Sequence, residues 1–230
     1  MLILFDIDLT LTNTSGAGMK ALVDAGRELF GPAFHAEGVD FAGRLDPLII
    51  DDLLAVNEQE ATPHNRARLR ATYRGYLSRR LAAPGTAQAL PGVLDLIRVL
   101  RTRETQTLGL LTGNFEETGR MKLQAAGIDA GAFTLAAWGD HSPITPPRRD
   151  HLVPVAMERY FEQHGRRADP ARVTVIGDTP HDVACARAHG CRSIGVATGR
   201  TSLDELKACR ASLAVRDLTG TQMLVSWLEG

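Results

Sequence analysis

The chain has 230 residues, of which 44% are hydrophobic and 23% charged, and both values are ordinary for a globular protein. Its 26 basic and 27 acidic side chains nearly cancel, so overall charge predicts neither a nucleic-acid partner nor a membrane surface. Acidic residues interrupt the N-terminal apolar stretch, and no apolar run approaches the roughly 18 residues of a membrane helix, so we expect a cytoplasmic protein. The three cysteines include no C-x-x-C pair, which predicts neither a disulfide framework nor a zinc site.

The first twelve residues predict a buried strand that ends in acidic side chains. Residues 2–5 form an unbroken apolar run, which is typical of a strand covered on both faces of a parallel sheet. Asp6, Asp8 and Thr10 follow at every second position. Because strand side chains alternate, Asp6 and Asp8 can leave the strand end on one side, where they repel unless a cation or a proton offsets them. The spacing therefore predicts a metal, a proton or both.

The next part of the chain predicts a helical insertion. Apolar residues fall at helical spacing over about 15–31 and 46–56, and a third helix is expected after Thr62. Prolines and glycines between 83 and 92 predict a hinge. We therefore expect a cap domain over 13–88, inserted into a core domain formed by 1–12 and 90–230.

The remainder alternates between strands and helices, which predicts an α/β fold with a central parallel sheet covered on both faces. The predicted strands are 108–111, 133–137, 173–176 and 193–196. The predicted helices lie near 92–102, 114–126, 150–164 and 179–189. In such sheets the functional site lies at the carboxyl ends of the strands.

One predicted strand ends in a candidate phosphate site. Thr112, Gly113 and Asn114 offer a hydroxyl group and backbone N–H groups, directly before a predicted helix. Helix N-termini and successive backbone N–H groups attract anions. This segment is therefore a candidate phosphate cradle.

A second predicted strand ends in two further carboxylates, Asp178 and Asp182, and the basic pair Arg148 and Arg149 precedes another helix. Carboxylates gathered at strand ends suit Mg²⁺, which prefers oxygen ligands and keeps waters that a phosphate can replace. A cation site beside an anion site indicates phosphate chemistry.

Three segments resemble the most specific motifs of the haloacid dehalogenase superfamily: DIDLT at 6–10, LLTGN at 110–114 and GDTPHD at 177–182. GRLDP at 43–47 and LPGV at 90–93 resemble its phosphoglycolate phosphatase-like branch. The resemblance implies a Rossmann-like core with an inserted all-α cap. It also implies a hydrolase acting on a small phosphorylated metabolite.

The resemblance also implies roles for individual residues. Asp6 would be the nucleophile that becomes an aspartyl phosphate, and Asp8 the general acid and base. Mg²⁺ would be held by the Asp6 carboxylate, the Asp8 backbone carbonyl and Asp178, with Asp182 just outside the ligands. Thr112 and the backbone N–H groups of the segment after it would bind the phosphate.

The superfamily usually places a lysine in its third motif, and this chain departs from that pattern. Its lysines are Lys20, Lys122 and Lys207, none of them in the expected region. An arginine must substitute, and a guanidinium can bind two phosphate oxygens while remaining charged. Arg149 is the preferred residue and Arg148 the alternative.

Substrate selection must come from the cap, because the core recognises only phosphate. Arg44 and Asp46 are the candidates at the inner face of the cap. For Asp46, structural capping of its helix is the competing interpretation.

Three functional classes stay open from the sequence. The leading hypothesis is hydrolysis of a phosphate monoester, since a dehalogenase does not need a second acid such as Asp8. A phosphoglucomutase-like isomerase would use the same aspartates and return the phosphoryl group to a sugar. A non-catalytic phosphate-sensing module is the third class.

Overall fold

The computed structural model describes residues 1–230 and contains a six-stranded sheet in which every pairing is parallel. The strands of this sheet are β1 (Leu2–Phe5), β4 (Thr107–Leu111), β5 (Leu135–Ala137), β6 (Val173–Gly177), β7 (Arg192–Val196) and β8 (Leu213–Val215). Their spatial order is β5-β4-β1-β6-β7-β8, so β1 lies near the centre. The expected α/β class is confirmed.

Helices cover both faces of the sheet. They are α4 (Val93–Arg101), α5 (Glu116–Ala125), α6 (Leu152–His164), α7 (Pro180–Ala188), α8 (Leu203–Ala208) and α9 (Thr221–Glu229). Alternation along β1 divides the core, because Ile3 and Phe5 join the cluster that contains α4 and α9. Leu2 and Leu4 join the opposite cluster, with α6 and α7. Every β1 side chain is therefore buried, as the unbroken apolar run predicts.

The segment 13–88, which we call the cap segment, forms helices of its own. They are α1 (Ala17–Phe30), α2 (Asp46–Val56) and α3 (Pro63–Leu81). Thr62 caps α3 by accepting a hydrogen bond from Asn65 N at 3.1 Å, and Pro63 occupies the first helical position. Twelve of the 13 residues in the third hydrophobic cluster come from this segment, and Phe115 of the core is the other.

The chain leaves and re-enters the core through a short antiparallel pair, β2 (Thr12–Asn13) and β3 (Gln88–Ala89). We propose that this strand pair marks the boundary between a core domain and a cap domain. No helix combines the length and apolar character needed to cross a membrane.

Two parts of the core differ from the sequence-based expectation. The strand predicted over 133–137 begins only at Leu135, because Asp129 accepts a hydrogen bond from Gly131 N at 2.9 Å and starts a 3₁₀ turn. The elements α8, β8 and α9 were not predicted. β8 has three half-buried residues at the edge of the sheet, too few to produce a period.

The predicted hinge ends at Gly92, which has φ of +81° and packs against the backbone of Leu218. A Cβ atom at Gly92 would lie 2.0 Å from the Leu218 carbonyl carbon. Gly85 has a similar φ of +74°, but a Cβ atom there would have no neighbouring atom within 4 Å. The two glycines therefore share a backbone conformation and differ in their surroundings.

We expect Gly92→Ala to lower the free energy of unfolding by about 1–3 kcal/mol more than Gly85→Ala, because both strain φ but only the first overpacks backbone. Urea unfolding of the two variants measures this difference. Equal losses would contradict the close packing of Gly92 on Leu218.

Candidate active site

A cluster of carboxylates lies at the carboxyl ends of β1 and β6. These strands pair in parallel, with Phe5 beside Ile176, so Asp6 and Asp178 emerge at the same edge. Asp182 lies in the first turn of α7, where it and Thr179 form a capping box. One carboxylate oxygen from each of the three aspartates lies within 4.8 Å of the others, and all three residues are buried.

Burial raises the pKa of two of these carboxyl groups, those of Asp6 and Asp178. The pKa of Asp6 rises to about 6, because burial outweighs the opposing attraction of Arg149. The pKa of Asp178 rises to about 8 through burial and through repulsion from Asp182 and Asp6. The site is therefore short of positive charge.

Arg149 is the cation within this cluster. Its Nη2 lies 2.6 Å from Asp182 Oδ1 and 3.1 Å from Asp6 Oδ1, and its Nη1 donates to Gly43 O at 3.2 Å. Burial alone would lower the pKa of Arg149, but Asp182 and Asp6 outweigh burial and raise it. Its Nε is buried without a partner, as expected of a group that awaits an anion.

Arg148 lies elsewhere, although it is adjacent in sequence. It is exposed, and its guanidinium donates to both carboxylate oxygens of Asp150, at 3.0 and 2.8 Å. Of the two arginines left open by the sequence, the structure therefore brings Arg149 to the carboxylates.

The carboxylates fit a divalent cation. When ionised they carry three negative charges, and Arg149 supplies one positive charge, which leaves an excess of two. The donor atoms are oxygens, which Mg²⁺ prefers. Gly199 leaves room beside Asp178, since a Cβ atom there would lie 1.8 Å from Asp178 Oδ2.

The Asp8 carboxylate does not join this cluster. Its Oδ2 accepts hydrogen bonds from Lys122 Nζ at 2.6 Å and Asn114 Nδ2 at 2.9 Å. The expected alternation fails because β1 ends at Phe5, and a turn follows in which Leu11 N donates to Ile7 O at 3.0 Å. Asp6 and Asp8 therefore do not place their carboxylates around one ion.

The candidate phosphate cradle lies between the core and the cap segment. Thr112 is fully buried, and its Oγ1 accepts from Asn114 Nδ2 at 2.8 Å. A Cβ atom on Gly113 would lie 1.9 Å from Arg44 O and 3.3 Å from Arg149 Nη1. Only glycine permits this approach of the cap segment. The Asn114 side chain is held within the protein, so its expected contact with phosphate depends on its backbone.

The two cap candidates have different surroundings. The Arg44 guanidinium forms an ion pair with Asp52, and its Nε is buried without a partner. Asp46 Oδ2 accepts from Phe115 N at 3.0 Å and from Thr118 Oγ1 at 3.4 Å. This carboxylate therefore caps the core helix α5, not the beginning of its own helix. Burial raises the pKa of Asp46 to about 6.

Most of the candidate site residues, but not Thr112 or Asp182, line one cavity of about 340 Å³ between the core and the cap segment. Asp6, Asp8, Asp178 and Arg149 line the core side. The cap segment adds apolar side chains, including Leu22, Phe41 and Tyr73.

Lys122 also lines this cavity, and the sequence analysis missed it as a site residue. It lies on α5 with Thr118, Gly119 and Leu123 on the buried face of the helix. A lysine at a core position of a predicted helix is unusual, because an unpaired buried charge is costly. A lysine on the apolar face of the predicted helix was therefore the sequence feature that could have identified Lys122 as a site residue.

A model of the haloacid dehalogenase-like hydrolase family matches residues 3–187. The chain belongs to this family. The resemblance stated from the motifs is confirmed, and so is the expectation of an enzyme.

Curated relatives of this hydrolase include phosphatases. It is 27% identical over 217 residues to the probable phosphatase IndB of Dickeya dadantii, covering 93% of this chain and 88% of that protein. It is 32% identical over 121 residues to a phosphoglycolate phosphatase of Synechococcus elongatus, covering 53% and 51%. Both names agree with the expected phosphoric monoester hydrolase.

Solved structures show the same fold. CbbY from Rhodobacter sphaeroides, solved in complex with phosphate, has a TM-score of 0.73 and 20% identity, covering 95% of this chain and 94% of that one. This likeness confirms the predicted Rossmann-like architecture.

We expect Arg149→Met to lower the free energy of unfolding by about 3–5 kcal/mol at neutral pH without divalent cations, since it leaves buried carboxylates unpaired. Arg148→Met, the matched control, removes an exposed pair and should cost less than about 1 kcal/mol. Urea unfolding measures both variants. Arg149→Lys keeps the charge and should lie between them, and equal stability of all three variants would contradict the proposed balance of charges.

Proposed function

We propose that this hydrolase is a Mg²⁺-dependent phosphatase that cleaves a small phosphate monoester through an aspartyl phosphate on Asp6. The observation that carries the proposal is the buried Asp6 carboxylate, 3.1 Å from the Arg149 guanidinium, whose Nε lacks a partner. A phosphoryl group beside Asp6 would supply that partner. The two phosphatase-named relatives support the same reaction class.

The metal would be held by the carboxylates of Asp6 and Asp178 and by the Asp8 backbone carbonyl. Asp182 would orient the site through Arg149 and Thr179, to which its oxygens are hydrogen-bonded at 2.6 and 2.7 Å. When bound, Mg²⁺ supplies the positive charge that lets an anionic carboxylate approach an anionic phosphate.

The proposed reaction has two steps, transfer of the phosphoryl group to Asp6 and hydrolysis of the aspartyl phosphate. An Asp6 oxygen bonds to phosphorus as the ester P–O bond breaks, and the leaving oxygen takes the electron pair and a proton from Asp8. Water then attacks the aspartyl phosphate and gives a proton to Asp8. The bond from Asp6 to phosphorus breaks, which releases inorganic phosphate and restores the carboxylate.

The groups that would bind the phosphate take no part in bond making or breaking in either step. The Thr112 hydroxyl and the N–H groups of Gly113 and Asn114 would bind two of the phosphoryl oxygens. Arg149 would bind through Nε, and its buried, permanently charged guanidinium stabilises negative charge in both transition states.

The substrate we propose is a small, anionic metabolite resembling phosphoglycolate. The GRLDP and LPGV segments and the relative named phosphoglycolate phosphatase support this choice. The cavity of about 340 Å³ lies at the lower end of ligand pockets, which favours a small molecule over a macromolecule.

We expect inorganic phosphate release from small phosphate esters to require Mg²⁺ and to stop with a chelator. Asp6→Asn should reduce kcat at least about a thousandfold, because it removes the nucleophile. Asp95→Asn, at an exposed residue on α4, is the matched control and should retain full activity. A colorimetric phosphate assay over an ester panel that includes 2-phosphoglycolate measures this.

Two results would contradict the proposal. Phosphate release that persists in chelator or in Asp6→Asn would exclude the proposed chemistry. Conversion of a sugar phosphate to its isomer with little free phosphate would identify a mutase.

We expect Arg44→Ala to raise KM for the best ester about tenfold with a smaller change in kcat, because Arg44 lines the cavity and has an unpartnered Nε. Tenfold corresponds to about 1.4 kcal/mol. Arg68→Ala on the exposed face of α3 is the control. Identical kinetics for both variants across the ester panel would remove Arg44 from substrate recognition.

A further inference from the structure

A buried lysine of helix α5 contacts the residue to which we assign proton transfer. Lys122 Nζ donates to Asp8 Oδ2 at 2.6 Å and to Asn114 Oδ1 at 2.6 Å. The Lys122 side chain is 5% exposed, whereas that of Asp8 is 41% exposed. A buried ammonium group therefore holds a carboxylate that faces the cavity.

The three side chains form a closed set of hydrogen bonds. Asn114 Nδ2 donates to the same Asp8 oxygen, at 2.9 Å, and to Thr112 Oγ1, at 2.8 Å. Two donors thus converge on Asp8 Oδ2, and no protein group donates to Oδ1. Asp8 is fixed through one oxygen, and the other oxygen is left for a ligand.

The charged surroundings of Lys122 keep it protonated. Burial alone would lower the pKa of Lys122, but Asp8, Tyr73 and Asp46 outweigh burial and raise it. Asp8 follows β1, Tyr73 lies on α3 and Asp46 lies at the start of α2. The ammonium group therefore stays charged, and its two hydrogen bonds, to Asp8 and Asn114, both lie within the core.

We propose that Lys122 is a positioning residue, which anchors Oδ2 of Asp8 so that Oδ1 exchanges the proton with the leaving oxygen and then with water. This inference rests on the proposed function. Lys122 itself touches neither the phosphoryl group nor the transferred proton. Its contribution is geometric, and a displacement of about 1 Å at a reacting group can cost a hundredfold in rate.

Asp8 depends on contacts from elsewhere in the chain to fix its side chain. Asp8 belongs to a turn after β1 and has no helix or strand to fix its side chain. Lys122 and Asn114 reach it from the segment that follows β4. Asp8, which follows β1, is thus oriented by Asn114 and Lys122, which follow the neighbouring strand β4.

The test compares esters that need a proton on the leaving oxygen with one that does not. Alkyl esters such as 2-phosphoglycolate release a strongly basic alkoxide, whereas 4-nitrophenyl phosphate releases a stabilised phenolate. We expect Lys122→Met, which preserves length without charge, to lower kcat/KM about a hundredfold for the alkyl ester. The loss for 4-nitrophenyl phosphate should be less than about fivefold.

Matched variants separate positioning from folding. Lys207→Met removes an exposed lysine on α8 and should leave both esters unaffected. Lys122→Arg keeps the cation and should recover part of the alkyl ester activity. In an Asp8→Asn background, Lys122→Met should cause little additional loss for the alkyl ester, because both changes remove one function.

Equal losses on the two esters, or full additivity with Asp8→Asn, would overturn the positioning role while leaving the phosphatase intact. A crystal structure of Lys122→Met gives a readout that needs no turnover. The Asp8 side chain should adopt a different orientation there, and an unchanged orientation would overturn the inference. Absence of phosphate release by the wild type would instead contradict the proposed function.

Discussion

The arrangement of this hydrolase depends on three buried carboxylates held against one buried guanidinium. Without a cation, the carboxylates would repel each other in a region from which water is largely excluded; they belong to Asp6, Asp178 and Asp182. Arg149 offsets part of that repulsion, but burial first, and then repulsion between the carboxylates, still raise the pKa values of Asp6 and Asp178. The parallel pairing of β1 and β6 brings Asp6 and Asp178 together, and the first turn of α7 adds Asp182, so the fold gathers more negative than positive charge.

The two aspartates of the DIDLT segment have different cationic partners. Arg149 faces Asp6, and Lys122 faces Asp8, although the two aspartates are only two residues apart. A single shared cation would couple the charge states of the proposed nucleophile and the proposed acid. Separate partners allow Asp6 to remain in the carboxylate cluster with Asp178 and Asp182 while the Asp8 carboxylate lies apart from it. The turn that follows Phe5 makes this separation possible.

Local patterns in the sequence predicted what is locally determined. The apolar run at 2–5, the strand ends at Thr112 and Asp178, and the three helices of the cap segment all follow from periodicity and turn residues. The direction of the Asp8 carboxylate, the capping of α5 by Asp46 and the burial of Lys122 were not predicted. Each depends on contacts between segments distant in the chain, which no single-sequence period records.

The cap segment contacts the candidate phosphate site through its backbone as well as its side chains. Asp46 N donates to Gly113 O at 2.7 Å, and Gly43 O accepts from Arg149 Nη1 at 3.2 Å. Arg70 of α3 adds ion pairs to Glu117 and Asp140, at 2.7 and 2.8 Å. Arg149 and Gly113, which we propose bind phosphate, thus also contact the cap segment, through atoms other than the Arg149 Nε and Gly113 N–H assigned to the phosphate. The cap segment and the candidate phosphate site therefore share residues, and Gly113 sets how closely the two parts approach, because a Cβ atom there would lie 1.9 Å from Arg44 O.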